Sequence, residues 1–203
     1  RSSDLDPQDI IGIGVDFTGS TVLPVDKAGD PLCFDPGFKD NKHAYVKKWK
    51  HHAAQDKANR LNAVAADRGE EFLARYGGKI SSEWEIPKIW QVLDEAPEIY
   101  EAAYRFMEAG DWIVLQLTGA FTRNSCVAGY KGIWHKQEGY PSKDFFRALD
   151  PRLENVVEDK LGIQVMPVGD KAGELTEEAA RLTGLIPGTA VGIANLEIGR
   201  AHV

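Results

Sequence analysis

Residues Ile10 to Phe17 alternate glycine with apolar side chains. From Ala44 onward the apolar residues recur instead at three- and four-residue spacing. A period of two marks a strand and a period near 3.6 marks a helix, so a chain with both patterns needs a mixed architecture. Thr21 to Val25 and Pro31 to Phe34 are two further short apolar runs, separated by Lys27-Ala28-Gly29-Asp30. With a tight turn at Ala28-Gly29, residues 10 to 34 read as an antiparallel meander. Ala44 to Arg75 reads as helix, ended by Gly77-Gly78. Helix is also predicted through Ile89 to Leu93, and again after Pro97 with an apolar face from Ile99 to Met107. Gly110 and Asp111 read as a C-cap followed by an N-cap, and Gly119 closes the next helix. Tyr140 to Leu149 and Thr176 to Thr183 are shorter helices. Val165 to Val168 and Thr189 to Ile193 read as strands or extended connectors. Strands followed by interspersed helices and strands predict an α/β or α+β fold.

Composition narrows the function. The net charge of −7 over 203 residues argues against a nucleic-acid partner, which needs clustered Lys and Arg. The basic residues from Lys39 to Lys57 form the one local concentration, and a solvated face accounts for them. No apolar run approaches the roughly 20 residues that span a bilayer, so no membrane partner is expected. Two cysteines, Cys33 and Cys126, are far apart and lack metal-type spacing. They fit a reducing cytoplasm, with both as small buried residues. The chain opens Arg-Ser-Ser without methionine. A processed, trimmed or mid-gene start is expected, and the acidic stretch to Asp9 is unlike a signal peptide.

Three segments could carry chemistry. Gly12 to Thr21 (GIGVDFTGST) ends an apolar strand in small and hydroxyl residues. It offers backbone amides at a cleft edge, yet it lacks the lysine and spacing of a phosphate loop, and from its residues alone a strand leading into a hairpin turn is the favoured reading. Tyr45 to Gln55 (YVKKWKHHAAQ) contains adjacent histidines. On a helix these point about 100° apart and cannot share a metal ion, so none is expected. Trp49 in the same segment is either an apolar platform for a sugar face or a core residue. Ala128 to Lys136 (AGYKGIWHK) places Lys131 in a glycine-flanked, aromatic-rich loop after a helix. There it either holds a hydroxyl or anionic oxygen, or is a surface lysine.

Taken in order with Asp111 to Gly119 (DWIVLQLTG), these segments resemble the FGGY family of carbohydrate kinases from about Ile11 to Leu196. The WKHHAAQ and DFTGST stretches are most similar to the members that phosphorylate L-ribulose. The resemblance implies an α/β fold, most of the first of two actin-like (ribonuclease-H-like) domains flanking a cleft. It implies phosphorylation of L-ribulose at O5 in L-arabinose breakdown, with ATP and Mg²⁺ as cofactors of a full-length parent. Gly19 would line the sugar pocket through its backbone, Trp49 would pack on the sugar, and Lys131 would bond a hydroxyl. A family phosphate loop is expected to precede Arg1, and a C-terminal kinase domain to follow Val203. Residues 1–196 therefore read as a partial sugar-binding domain, inactive and ligand-free by itself, from a parent with self-association as an option. The alternatives are a kinase of another ketose, such as D-ribulose or D-xylulose, and a sugar-binding module without catalysis.

The family places its general-base aspartate where this chain has Glu197. The next residues also depart from the family pattern. Glu197 to Val203 (EIGRAHV) matches the translation of a sequencing-adapter end, so residues 197–203 are expected to be a non-native tail.

Overall fold

The computed structural model describes residues 5–196. Glu197 and the expected tail lie outside them. The chain begins with β1 (Gly12–Ile13) and β2 (Asp16–Phe17), a strand interrupted at Gly14-Val15. These do not form a meander with the next strand. β1 pairs in parallel with β6 (Ala190–Gly192), and β2 in parallel with β7 (Asn195–Leu196). β5 (Lys171–Glu174) joins β6 from the other side, antiparallel. The third strand, β3 (Val22–Val25), pairs antiparallel with β4 (Arg105–Glu108). The turn at 26–30 forms as read, with Gly29 at φ +89° and Asp26 N–H donating to Asp30 O at 2.9 Å. Beyond Pro31, however, Leu32–Phe34 is a single 3₁₀ turn. The local pattern was that of adjacent strands, but each strand finds its partner some 80 to 180 residues away.

The predicted helix over 44–75 is shorter. α1 spans Gln55–Asp67, Gly69 interrupts it at φ +68°, and α2 is a single turn, Phe72–Arg75. Residues 45–54 are extended and turned, so His51 and His52 do not lie on a helix. Gly77 and Gly78, both at positive φ, end α2 as read. α3 covers Glu85–Glu95 and α4 Pro97–Ala102. The predicted helical face from Ile99 to Met107 stops at Ala102, because Arg105–Glu108 is taken into the sheet as β4. α5 runs Ala109–Thr118, with Gly110 and Asp111 in its first turn and Gly119 as its left-handed cap. α6 is Ser125–Lys131, α7 Lys143–Leu149 and α8 Glu177–Thr183.

α5 lies between the strand pairs. Val114 faces Val191, Ala194 and Leu175, while Leu115 faces Leu23, Val25 and Met107. Gly110 has a packing reason: an added Cβ would overlap the Phe17 ring, so glycine lets β2 approach the start of α5. The larger core joins α1, α3, α4 and α7 around Trp90, Phe145, Phe146 and Ile99. α3 is buried on nearly every side, with Glu85, Ile86, Lys88, Ile89 and Trp90 all at 1% exposure or less. A helix sunk this deeply brings its charged residues with it, and these must find partners.

Glu85 does so with Arg123, whose two terminal nitrogens bond the two carboxylate oxygens of Glu85 while its Nε donates to Tyr140 Oη. The planar fork suits a bidentate carboxylate. Removing one partner leaves the other charge buried and uncompensated. Glu85→Gln is therefore expected to lower the unfolding free energy by about 3–5 kcal/mol, read from urea titration. A loss below about 1 kcal/mol would show that water solvates the pair.

Candidate functional site

The three predicted site residues come from segments far apart in sequence, and each of those segments meets residues of Ser81–Lys88. The DFTGST turn follows β2. Its Thr21 Oγ1 donates to Thr18 O at 2.7 Å, closing the turn. Ser20 is buried and sits in the left-handed region at φ +61°, a conformation a non-glycine residue keeps only when its surroundings impose it. They do: Ser20 Oγ donates to Glu83 O, and Lys88 Nζ donates to Ser20 O. Gly19 packs on Leu196, and an added Cβ would overlap a Leu196 methyl. Its partly exposed backbone is the available group, with any side chain there requiring Leu196 to swing aside.

Trp49 lies in the extended stretch before α1. Val22 and Lys47 exchange backbone hydrogen bonds at 2.7 and 3.1 Å, which tethers this stretch to β3. Lys88 Nζ donates to Lys48 O at 3.0 Å, one residue from Trp49. Trp49 itself is 51% exposed, which removes the core alternative and leaves an accessible apolar ring. The neighbouring histidines face inward to α3 and the residues before it. His51 Nε2 is 2.7 Å from Gln91 Oε1, and His52 Nδ1 is 3.4 Å from Ser82 Oγ. Burial lowers the His51 pKa.

Lys131 is the last residue of α6 rather than a loop residue. It is not an ordinary surface lysine, because only 17% of its side chain is exposed. Its ammonium stands over the rings of Trp84 and Tyr130, 5.3 and 4.8 Å from their centroids, with Glu83 Oε2 at 3.9 Å. Two ring faces and a carboxylate thus hold the ammonium of a largely covered side chain. α6 is itself anchored from below. Its cap Asn124 accepts from Val127 N–H at 2.8 Å and donates from Nδ2 to Asp111 Oδ1 at 3.0 Å. Gly132 directly follows Lys131, and a Cβ there would stand 2.9 Å from Ala128 O, Arg123 Nη2 and Glu85 Oε2 at once. The second glycine of the GYKG stretch thus makes room for the buried ion pair.

Sequence reasoning missed the groups underneath: Lys88, Glu83, Glu85, Glu108, Asp111 and Arg123. Each is a single charge in a stretch otherwise rich in apolar residues, in a helix, a strand or the turn before a helix, and only burial gives that meaning. Burial pushes the Glu108 carboxyl up, with Glu85 nearby adding repulsion, although Thr21 N–H donates to Glu108 Oε2 at 2.8 Å. Burial lowers the Lys88 ammonium, against the attraction of Glu108, Glu85 and Glu83. The Asp111 carboxyl is pushed up to about 7 by burial, against its bonds from Asn124 and the charge of Arg123. Among the described residues no three His, Cys, Asp or Glu side chains converge as a metal ion would need. No helix among them is long and apolar enough to cross a membrane.

A partly exposed backbone at Gly19, an open ring at Trp49 and a largely covered ammonium at Lys131 are thus carried on one α/β scaffold. Residues 1–197 match the FGGY family of carbohydrate kinases, N-terminal domain, and the chain belongs to that family. It is 60% identical over 197 residues to a ribulokinase of Geobacillus thermodenitrificans, covering 97% of this chain and 35% of that protein. A ribulokinase of Bacillus licheniformis is 56% identical over 203 residues, all of this chain and 36% of that one. The chain thus spans about a third of the length of these relatives. Among solved structures, a xylulose kinase from Bifidobacterium adolescentis matches with a TM-score of 0.72 at 12% identity, over 95% of this chain and 42% of that one. One from Rhodospirillum rubrum gives 0.69 at 20% identity, over 92% and 34%. The fold is the actin-like, ribonuclease-H-like α/β domain, the first of the kinase's two.

Because Asp111 keeps its proton in the native state at pH values where the unfolded chain has lost it, its contribution is complete below about pH 4 and fades as pH rises towards 7. Asp111→Asn removes that titration. Relative to the unchanged chain, the variant is expected to gain roughly 2 kcal/mol of stability between about pH 5 and pH 8, measured by urea denaturation at both values. A difference independent of pH would show that Asp111 is ionised in the fold.

Proposed function

We propose that this chain is the sugar-binding part of an ATP-dependent kinase that phosphorylates L-ribulose at O5. What supports this most is the 60% identity to a ribulokinase across 197 residues, which includes the segments that carry Gly19, Trp49 and Lys131. Trp49 presents its ring to the apolar C–H face of the sugar. Lys131 donates to a hydroxyl, held in direction by Trp84, Tyr130 and Glu83. Backbone groups around Gly19 line the third side. Phosphoryl transfer depends on positioning and on charge neutralisation, and these residues supply the first of the two. ATP with Mg²⁺ supplies the phosphoryl group and the second.

The family's general base would take up the proton of the attacking hydroxyl at the position of Glu197. Glu197 lies outside the described residues, and we assign 197–203 to a non-native tail. The nucleotide sequence through these codons decides this: uninterrupted native coding would refute the tail and make Glu197 a candidate base. Binding by residues 1–196 alone is expected to be weak, since an actin-like kinase closes its cleft from two sides. The enzyme is assigned to the cytoplasm.

The complete protein encoded by the gene should convert L-ribulose with a kcat/KM at least about tenfold above those for D-ribulose and D-xylulose, in an assay of ADP release. Preference for D-xylulose, or no turnover of any pentulose, would overturn the assignment. Lys131→Met should lower kcat/KM for L-ribulose by about 10- to 100-fold, the loss of one charged hydrogen bond. An unchanged value would remove Lys131 from the pocket.

A further inference from the structure

Lys88 is buried, yet its ammonium is shared between the two loops that carry Gly19 and Trp49. Nζ donates to Ser20 O, lies 3.3 Å from Ser20 Oγ, and reaches Lys48 O at 3.0 Å and Lys47 O at 3.5 Å. An ammonium has three donors and no acceptor, so a ring of backbone oxygens satisfies it much as such oxygens satisfy a metal cation. These oxygens come from segments that sequence separates by almost thirty residues and that the Val22–Lys47 bridge also joins.

The surroundings favour this over a generic core contact. Ser20 is held at φ +61°, where a serine gains nothing from its own backbone, and its two polar groups are both occupied, one by Lys88 and the other by Glu83 O. The charge is balanced at a distance by Glu108, Glu85 and Glu83 rather than by a contact pair. This leaves the donors free for the carbonyls. Replacing a buried lysine by an apolar residue of similar length would cost less desolvation. What the ammonium adds is direction.

We propose that Lys88 is a positioning residue for the sugar pocket: it fixes the Gly19–Ser20 turn and the Lys48–Trp49 stretch at one separation, and so sets the distance between the backbone and aromatic sides of the site. The proposal rests on the kinase reading for its sugar, and on geometry alone for the loops.

The test pairs hydrogen exchange with kinetics on the complete protein encoded by the gene. Lys88→Met keeps the length of the side chain and removes the donors. Exchange at the amides of Thr21, Val22, Lys47 and His51 should accelerate about tenfold or more, with those of α7 and α8 unchanged. KM for L-ribulose should rise by about tenfold or more while KM for ATP stays within about twofold, a split that general destabilisation would not produce. Unchanged exchange in a folded variant overturns the proposal, as does faster exchange with an unchanged sugar KM. If Lys88→Met does not fold, Lys88→Gln is read in the same way. Failure of both to fold would make Lys88 a determinant of the fold and not of the pocket. If the unaltered enzyme phosphorylates no pentulose, the kinase reading has failed instead, and the exchange arm still decides whether Lys88 holds the loops.

Discussion

The bidentate contact between Glu85 and Arg123 is the interaction on which the site's geometry depends. It joins the first turn of α3 to the residue just before the cap of α6, and it does so inside the core, where neither charge can be left unpaired. α6 ends at Lys131, so the pair fixes the lysine relative to Glu83 and Trp84, which immediately precede α3. Gly132 is part of the same arrangement, because any side chain there would press on both members of the pair.

One helical turn further on, Lys88 extends the control exerted by α3 to the other side of the pocket. Residues three apart on a helix share a face, and here that face carries one anion gripping α6 and one cation gripping two loops. The N-terminal turn of α3 therefore meets all three predicted pocket segments. Its burial is costly in desolvation, as the lowered pKa of the Lys88 ammonium indicates. Such groups are better explained by the positions they impose than by a net gain in stability.

The recognised segments and the scaffold beneath them differ in how they can be read. DFTGST, YVKKWKHH and AGYKGIWHK stand out because glycine, tryptophan and clustered lysine are unusual together, and the structure ties the first two through Lys88 and packs Lys131 of the third beside Trp84 and Glu83. Glu83, Lys88 and Arg123 have no such signal. In the linear sequence each is one charge among many, and a charged side chain is ordinarily a solvated one. The meander predicted for residues 10–34 failed for a related reason. Apolar alternation marks a strand but does not say what it pairs with, and β1, β2 and β3 all pair with segments distant in the chain.

By itself, then, the sequence determined the mixed α/β class, the turn at Gly29, the ends of α2 and α5 at glycine, and the family to which the chain is related. Each is a local property, set by backbone conformation or by a short run of residues. Only the tertiary structure decided that Trp49 is open to solvent while Lys131 is largely covered, that Ser20 is held left-handed, and that a buried lysine ties two loops. Those outcomes depend on which charges are carried out of water and which oxygens wait for them there, and burial is a property of the packed chain rather than of any segment of it.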